Sequence, residues 1–403
     1  MRVLTFTSLF PNSCQPEHGI FIYQRMAHFA QRPGNYVEVV APIPYVPSWL
    51  RGAAIPSRLQ HFASVPRTEK IGGIRVHHPR YPLIPKISMA VHGWLMYNAS
   101  RKLVKSLVTA AKFDLIDGHY VYPDGYAAVR LAKDVGLPAF VTTRGTDMNL
   151  FPEIRTVMPK IRWTLGNVAG GIGVSSKLRE LMLNNGLPSA KSTVIGNGID
   201  TERFFPVDQA EARKRLDLPR DQKILVSVAA LKRHKGFPLL IPAVQKLREK
   251  GLNVLLLLIG DGEGADEAKK MASELGIADR VRFLGIVPNQ ELQNWYSAAD
   301  ASVLASTREG WPNVLLESMA CGTPVLATNI GGIPEVLNSE KLGILTEPNV
   351  ESVCTGLCRA LSTSWDREAI AEYGRSRSWD AVAAEVDAFF ALKLSESMGC
   401  SSG

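Results

Sequence analysis

The sequence predicts an α/β protein of two doubly wound domains, each a parallel sheet covered by helices, and three observations carry that expectation. Short β-branched runs alternate with longer amphipathic stretches along the whole chain, the pattern of parallel strands joined by crossover helices. Several runs, such as Val254 to Ile259, are apolar without interruption, as strands covered on both faces should be. The chain of 403 residues also exceeds what one hydrophobic core usually organises.

In the first half, strands are expected at Val3 to Thr7, Tyr36 to Ala41, Leu115 to Gly118, Ala139 to Thr143 and Gly171 to Val174. Helices are expected at His18 to Gln31, Met89 to Lys112, Gly125 to Val135 and Lys177 to Asn185. Between Pro42 and Pro85 the chain is rich in proline and arginine and has no sustained period, which reads as a long surface excursion. The turn-rich link Ile195-Gly196-Asn197-Gly198-Ile199-Asp200 divides a first domain, 1–198, from a second, 199–375. Strands in the second are expected at Ile224 to Val228, Val254 to Gly260, Val281 to Phe283, Ala301 to Leu304 and Pro324 to Ala327. A last helix, about 379–395, follows. Ligands in such folds bind beyond the carboxyl ends of the strands, so the residues just after each run deserve scrutiny.

Composition narrows the function classes. Hydrophobic residues make up 46% and charged residues 21%, ordinary values for a globular protein. No apolar run is long enough to span a bilayer. The N-terminus enters a strand-like segment directly and lacks the basic and apolar regions of a signal peptide. Five cysteines (Cys14, Cys321, Cys354, Cys358 and Cys400) form no CxxC pair and suit a reducing compartment. A cytoplasmic location is expected. Residues 1–180 hold 22 Lys and Arg against 10 Asp and Glu, a balance of +12, whereas the remainder holds 24 against 28, or −4. The basic first half is therefore expected to meet something anionic. Nucleic acid is a poor fit, because no recognised module or basic-aromatic interleaving accompanies the charge.

The segment richest in chemistry runs Ala305-Ser306-Thr307-Arg308-Glu309-Gly310-Trp311-Pro312-Asn313-Val314-Leu315-Leu316-Glu317. A buried strand ends near Leu304, and a helix is expected to start with Pro312 at its first position, where the missing N–H costs nothing. Free N–H groups at that helix start, with its dipole, suit a diphosphate. Glu309 in the loop and Glu317 on the helix are placed to accept hydrogen bonds from sugar and ribose hydroxyls. An ordinary strand, turn and helix with two solvated glutamates is the plainer alternative for such a pair taken alone.

The wider pattern resembles the GT4 family of retaining glycosyltransferases. Glu309 and Glu317 match its E-x7-E motif, continued by Ser318-Met319-Ala320-Cys321-Gly322-Thr323-Pro324. Leu258-Ile259-Gly260-Asp261-Gly262, Val281-Arg282-Phe283-Leu284-Gly285 and Gly331-Gly332-Ile333-Pro334-Glu335 flank it in the family's order, and Val194 to Asp200 with Phe204-Phe205-Pro206 resembles its interdomain signature. The resemblance implies the GT-B fold, two facing Rossmann-like domains with the active cleft between them and the last helix packing back toward the first domain. It implies transfer of a hexosyl-type sugar from a UDP- or GDP-linked donor to a glycan or lipid-linked acceptor, with retention of configuration, in cell-surface polysaccharide biosynthesis.

By the same resemblance, Glu317 binds the donor ribose and Glu309 the hydroxyls of the transferred sugar, while the stretch around Val287 holds the base. Gly310, Asn313, Val314 and Leu315 line the donor site. Lys235 matches the family lysine on the diphosphate, where it offsets charge as the nucleotide leaves. Gly19, after the first strand, lets the backbone approach the donor phosphates. His119 matches a histidine on the acceptor side and is a candidate base for the acceptor hydroxyl, with a packed histidine as the equal alternative. Arg144 and Asp147, in Thr142-Thr143-Arg144-Gly145-Thr146-Asp147, join it there.

Two positions depart from the family. Ala230 stands where an arginine commonly precedes the lysine by five residues, with Lys232 or Arg233 as possible substitutes. Arg144 stands where histidine is frequent, and an arginine cannot act as a base at neutral pH, although it can grip an acidic group. No DxD or HxxxH pattern is present, so neither metal nor cofactor is expected. Lys86 to Lys112, with Trp94, Leu95, Met96 and Tyr97 ahead of Arg101, Lys102 and Lys105, reads as a basic amphipathic helix suited to peripheral attachment to an anionic membrane. The rival readings are a nucleotide-sugar epimerase of the same fold and a catalytically silent nucleotide-sugar-binding protein.

Overall fold

The computed structural model describes residues 1–45, 61–82 and 88–399. Residues 46–60 and 83–85 of the expected excursion, Lys86 of the expected basic helix and Cys400 lie outside them. The chain forms two compact units, Met1–Asn197 with Trp379–Gly403, and Gly198–Ser378.

The first unit contains β1 (Arg2–Phe6), α1 (Ile20–Gln31), β2 (Tyr36–Val40), β3 (Ile43–Pro44), β4 (Thr68–Ile71), β5 (Ile74–His77), β6 (Arg80–Tyr81), α2 (His92–Ala110), β7 (Leu115–His119), α3 (Tyr126–Val135), β8 (Ala139–Thr143), α4 (Thr146–Asn149), α5 (Met158–Gly166), β9 (Gly170–Gly173), α6 (Ser176–Asn184) and β10 (Ser192–Val194). Eight of the strands form one sheet in the order β10-β9-β8-β7-β1-β2-β5-β4. The stretch expected to be a surface excursion contributes to that sheet, because β5 pairs parallel with β2 and antiparallel with β4. Each of these two strands is only four residues long, and β4 is largely open to solvent, so neither writes an apolar period into the sequence.

The second unit contains α7 (Gln209–Arg215), β11 (Lys223–Val228), α8 (Phe237–Glu249), β12 (Val254–Ile259), α9 (Ala265–Glu274), β13 (Val281–Gly285), α10 (Leu292–Ala298), β14 (Ala301–Leu304), α11 (Asn313–Ala320), β15 (Val325–Thr328), α12 (Ile333–Val336), β16 (Gly343–Thr346), α13 (Val350–Ser362) and α14 (Arg367–Ser376). Its sheet is parallel throughout, in the order β13-β12-β11-β14-β15-β16. Along β12, Leu255, Leu257 and Ile259 enter one core while Val254, Leu256 and Leu258 enter the other, which is why the run carries no polar residue.

The last helix, α15 (Trp379–Gly399), belongs to the first unit. Val382, Val386 and Phe390 join Ile22, Met26 and Phe29 of α1 in one core, and the Phe29 and Phe390 rings lie 6.1 Å apart. Arg32 to Asp387, at 3.1 Å, closes the rim of that contact.

In both sheets the strand order reverses at one point, between β1 and β7 in the first and between β11 and β14 in the second. The loops leaving the carboxyl ends of such a pair diverge to opposite faces and leave a crevice, the usual ligand position in an open parallel sheet. Among the described residues, no helix is long and apolar enough to cross a membrane.

Candidate active site

In the second unit, the crevice between β11 and β14 gathers the residues singled out from sequence. After β11 the chain reaches a short 3-10 turn, Arg233–Lys235, which ends at Gly236 in the left-handed region, φ 96°. A Cβ there would stand 2.0 Å from the carbonyl oxygen of Ala305, so only glycine lets the turn close against the loop that follows β14. That approach sets Lys235 Nζ 2.7 Å from Glu309 Oε1, which also accepts from Ser306 Oγ at 2.8 Å. The Glu309 side chain is 8% exposed and that of Lys235 28%, so the pair is largely dehydrated and the ammonium is its open end. Glu309 Oε2 has no partner among the described residues.

The loop then enters α11, which begins at Asn313, one residue later than expected, with Pro312 outside it as the flanking residue. Gly310 and Val314 donate no backbone hydrogen bond among the described residues, which leaves both N–H groups for a ligand. Leu315 does not join them: its side chain is 0% exposed in the core and its N–H donates to Pro312 O at 3.1 Å. Its place is structural, because an apolar side chain at that turn of the helix points into the sheet. The N–H of Asn313 turns back to Trp311 O. Val287, after β13, is half-buried against the core, next to Ile286 at 80% exposure.

Glu317 lies one turn further along α11 and accepts from the Tyr296 hydroxyl at 3.0 Å. The residue is half-buried, and burial pushes its carboxyl up to about 7 against the pull of the Tyr296 hydrogen bond and of Arg203. Ala230 and Lys235 line one small recess with Ala229, Leu231 and Phe237, and among the described residues Lys235 is the cation of that lining. Arg233, considered as a substitute, is tied to Glu267 instead.

At the reversal point of the first unit, Gly19 caps α1 at φ 67°, where a Cβ would meet Leu9 O at 2.3 Å. The loop after β1 is held from the other side by Asp124, which accepts from Thr7 Oγ1, Ser8 N and Ser8 Oγ and is pushed up to about 7 by burial.

His119 ends β7 and is 0% exposed. Its Nδ1 lies 2.9 Å from Arg144 Nη2, and since a guanidinium only donates, Nδ1 accepts. The ring proton therefore sits on Nε2, which faces Asp117 Oδ2 at 3.1 Å. Burial pushes His119 down to about 4, against the raising effect of Asp117, so the ring is neutral at pH 7. These facts correct the expectation of a base: the lone pair it would use is already committed to Arg144, and the ring serves to orient that guanidinium. Arg144 also donates to Asn197 Oδ1 at 2.7 Å and lies over the Phe21 ring.

Asp147 is likewise corrected from an acceptor contact to a support. It is 0% exposed, and its carboxylate accepts from Val121 N, Thr143 Oγ1, Arg144 N and Gly145 N, which shapes the loop that carries Arg144. Behind the site, Arg25 of α1 is fully buried near Asp117. Burial alone would raise Asp117, but His119, Arg25 and Arg144 outweigh it and hold the carboxyl below its usual range. Sequence reasoning missed Tyr296, Ser306, Asp117, Asp124 and Arg25. A charged or phenolic group inside an apolar pattern was the available signal, since such groups must find partners when buried.

The helix read as basic and amphipathic is only partly so. Met96 and Tyr97 are core residues, and Arg101 is bound to Asp134 at 2.7 Å. Trp94 is 49% exposed, with Lys102 and Lys105 exposed on the same helix, and Val91, just before it, is 47% exposed. Among the described residues, no group of three His, Cys, Asp or Glu side chains is placed to hold a metal ion.

Comparison with known proteins follows the two units. Residues 208–377 match the family described as Glycosyl transferases group 1, and residues 24–203 match Glycosyltransferase Family 4. TuaC of Bacillus subtilis, named as a putative teichuronic acid biosynthesis glycosyltransferase, is 28% identical over 368 residues, 89% of each chain. A D-inositol 3-phosphate glycosyltransferase of Thermobispora bispora is 31% identical over 225 residues, 52% of this chain and 53% of that one. Among solved structures, a sucrose-phosphate synthase of Thermosynechococcus elongatus superposes with a TM-score of 0.76 at 20% identity, covering 98% of this chain and 99% of that one. HepE of Anabaena in complex with UDP superposes at 0.73 and 18% identity, covering 97% and 100%. At those identities the likeness establishes the fold alone.

Proposed function

This chain belongs to the GT4 glycosyltransferases of GT-B fold, and on that premise we propose that it moves a hexosyl-type sugar from a UDP- or GDP-linked donor to an anionic glycan or lipid-linked acceptor, with retention of configuration, in cell-surface polysaccharide biosynthesis. The observation that carries the reading is the Lys235–Glu309 contact at the reversal point of the second sheet, with Glu317 on the helix that follows. Lys235 faces the donor diphosphate and offsets the charge that grows as it leaves. The N–H groups of Gly310 and Val314 share that task, so the reaction runs without a metal ion. Glu309 receives the sugar hydroxyls and Glu317 the ribose. Glu309 Oε1 already takes an ammonium and a hydroxyl, its open Oε2 accepts from the sugar hydroxyls, and attack comes from the donor's own face with the leaving phosphate taking the acceptor proton.

Support for an anionic acceptor comes from the +12 balance of residues 1–180 and from Arg144. The TuaC relative, named for an acidic polymer, points the same way. Incubating the purified protein with labelled UDP- and GDP-sugars and isolated lipid-linked or glycan acceptors tests the reading. A new glycoside supports it; donor consumed without an acceptor marks an epimerase, and binding without turnover marks a silent binding protein. Peripheral attachment at the cytoplasmic face would bring acceptor and enzyme together through Val91, Trp94, Lys102 and Lys105. Co-sedimentation with anionic liposomes that falls as salt rises is the expected result, and absence of binding at low salt refutes it.

A further inference from the structure

We propose that Tyr296 is a positioning residue for the donor ribose: its hydroxyl holds one oxygen of Glu317 and leaves the other aimed at the ribose hydroxyls. The inference rests on the reading of Glu317 as the ribose-binding carboxylate and adds the residue that makes it selective. Tyr296 lies on α10, and its side chain is 0% exposed. The ring packs edge-on against Phe204 at 6.1 Å, and the backbone carbonyl accepts from Thr323 Oγ1 at 2.7 Å, which itself receives Arg367 Nη2 at 2.9 Å. The phenol therefore has one position, and a buried hydroxyl there needs a partner. That partner is Glu317 Oε2, at 3.0 Å.

The consequence for Glu317 is geometric. A glutamate has three rotatable bonds and would otherwise sample several rotamers at the mouth of the crevice. With Oε2 tied to a rigid phenol, Oε1 is left without a partner among the described residues. A carboxylate with one oxygen fixed and one open is suited to a vicinal diol and discriminates against a sugar lacking one hydroxyl, because the open oxygen is then left unsatisfied. The other charged or titratable groups facing Glu317 are Arg203, from the loop before α7, and Cys321, the residue that caps the end of α11, and neither hydrogen-bonds the carboxylate.

The test compares binding of UDP with that of 2′-deoxy-UDP by calorimetry, with GDP and 2′-deoxy-GDP as a second pair, in the wild type, Tyr296→Phe, Glu317→Ala and the double variant. Phenylalanine keeps the ring and removes only the hydroxyl, so the core is preserved. The wild type should prefer the ribonucleotide, Tyr296→Phe should lower that preference about fivefold, and Glu317→Ala should abolish it. Donor KM should rise in Tyr296→Phe while kcat stays near the wild-type value. The double variant should match Glu317→Ala alone, since Tyr296 acts through that carboxylate. If Glu317→Ala leaves the preference intact, the assignment of Glu317 to the ribose fails. If Glu317→Ala abolishes it and Tyr296→Phe retains it in full, the positioning role of Tyr296 is overturned. Additive losses in the double variant overturn it as well.

Discussion

Replacing Glu309 by glutamine should separate the sugar half of the donor site from its nucleotide half. Glu309 Oε1 lies 2.7 Å from Lys235 Nζ. A phosphate oxygen on the far side of that ammonium, at a usual distance of about 2.8 Å, would stand about 5.5 Å from the carboxylate oxygen. Two negative charges about 5.5 Å apart repel by roughly 0.8 kcal/mol in water and roughly 3 kcal/mol at an effective dielectric of about 20. Glutamine removes the charge and keeps the shape. Free UDP or GDP should therefore bind Glu309→Gln more tightly than the wild type, by about fourfold at the water limit and by up to roughly 150-fold at the lower dielectric. Transfer should move the opposite way, because hydrogen bonds from the sugar hydroxyls to a charged acceptor contribute about 1.5 to 3 kcal/mol, or roughly 10- to 150-fold in kcat/KM. Calorimetry with the free nucleotide and steady-state kinetics with the full donor give the two numbers. If nucleotide affinity falls in step with transfer, Glu309 belongs to the nucleotide pocket or to the scaffold, and the reasoning fails.

Three further outcomes follow from the same geometry. Lys235→Met should destabilise the second unit by about 1.5 to 3 kcal/mol, because it strands a nearly enclosed carboxylate, whereas Glu309→Gln should cost under about 1 kcal/mol since the more open ammonium can hydrate; equal shifts in thermal midpoint would contradict this. Glu317, raised to about 7 in the folded protein from an ordinary 4.5, favours its protonated form, so its stabilising contribution is full below pH 4.5 and is lost as pH rises through 7. Glu317→Gln should therefore gain on the wild type across that window by on the order of 1 to 3 kcal/mol in denaturant unfolding, and a pH-independent difference would refute it. Transfer should survive EDTA, since Lys235 and backbone N–H groups are expected to neutralise the leaving diphosphate; activity lost to the chelator and restored by Mg²⁺ or Mn²⁺ would show otherwise.

The parts of the fold legible in the sequence are those where burial on both sheet faces forces a long apolar run. β12 of the second unit is of this kind throughout and β11 from Ile224 to Val226, and their neighbours in the chain, α8 and α9, are helices long enough to show a period. The hairpin of β4 and β5 was not legible, because four-residue strands at a sheet edge need only one covered face. β10 and β16, of three and four residues at the far edges, escaped for the same reason.

For the candidate site, the sequence motif displays one member of each contact and conceals the other. Glu309 stands out because Gly310, Pro312 and Glu317 surround it at short spacing, yet what fixes its carboxylate is Lys235, separated from it by 74 positions. The two meet because β11 and β14 are neighbours while β12 and β13 lie to one side, so the chain leaves and returns across the reversal point. Topology therefore decides which side chains can cooperate. The same holds for His119, which in isolation resembles a base and becomes, with Asp117 two residues back and Arg144 on the next strand's loop, a neutral ring with its acceptor nitrogen occupied. A histidine's chemistry follows from the hydrogen bond at its other nitrogen, and that bond is a property of neighbouring strands rather than of sequence spacing. The guanidinium of Arg144 is consequently the group that this network orients, and the anionic acceptor proposed above is the kind of partner its charge would favour.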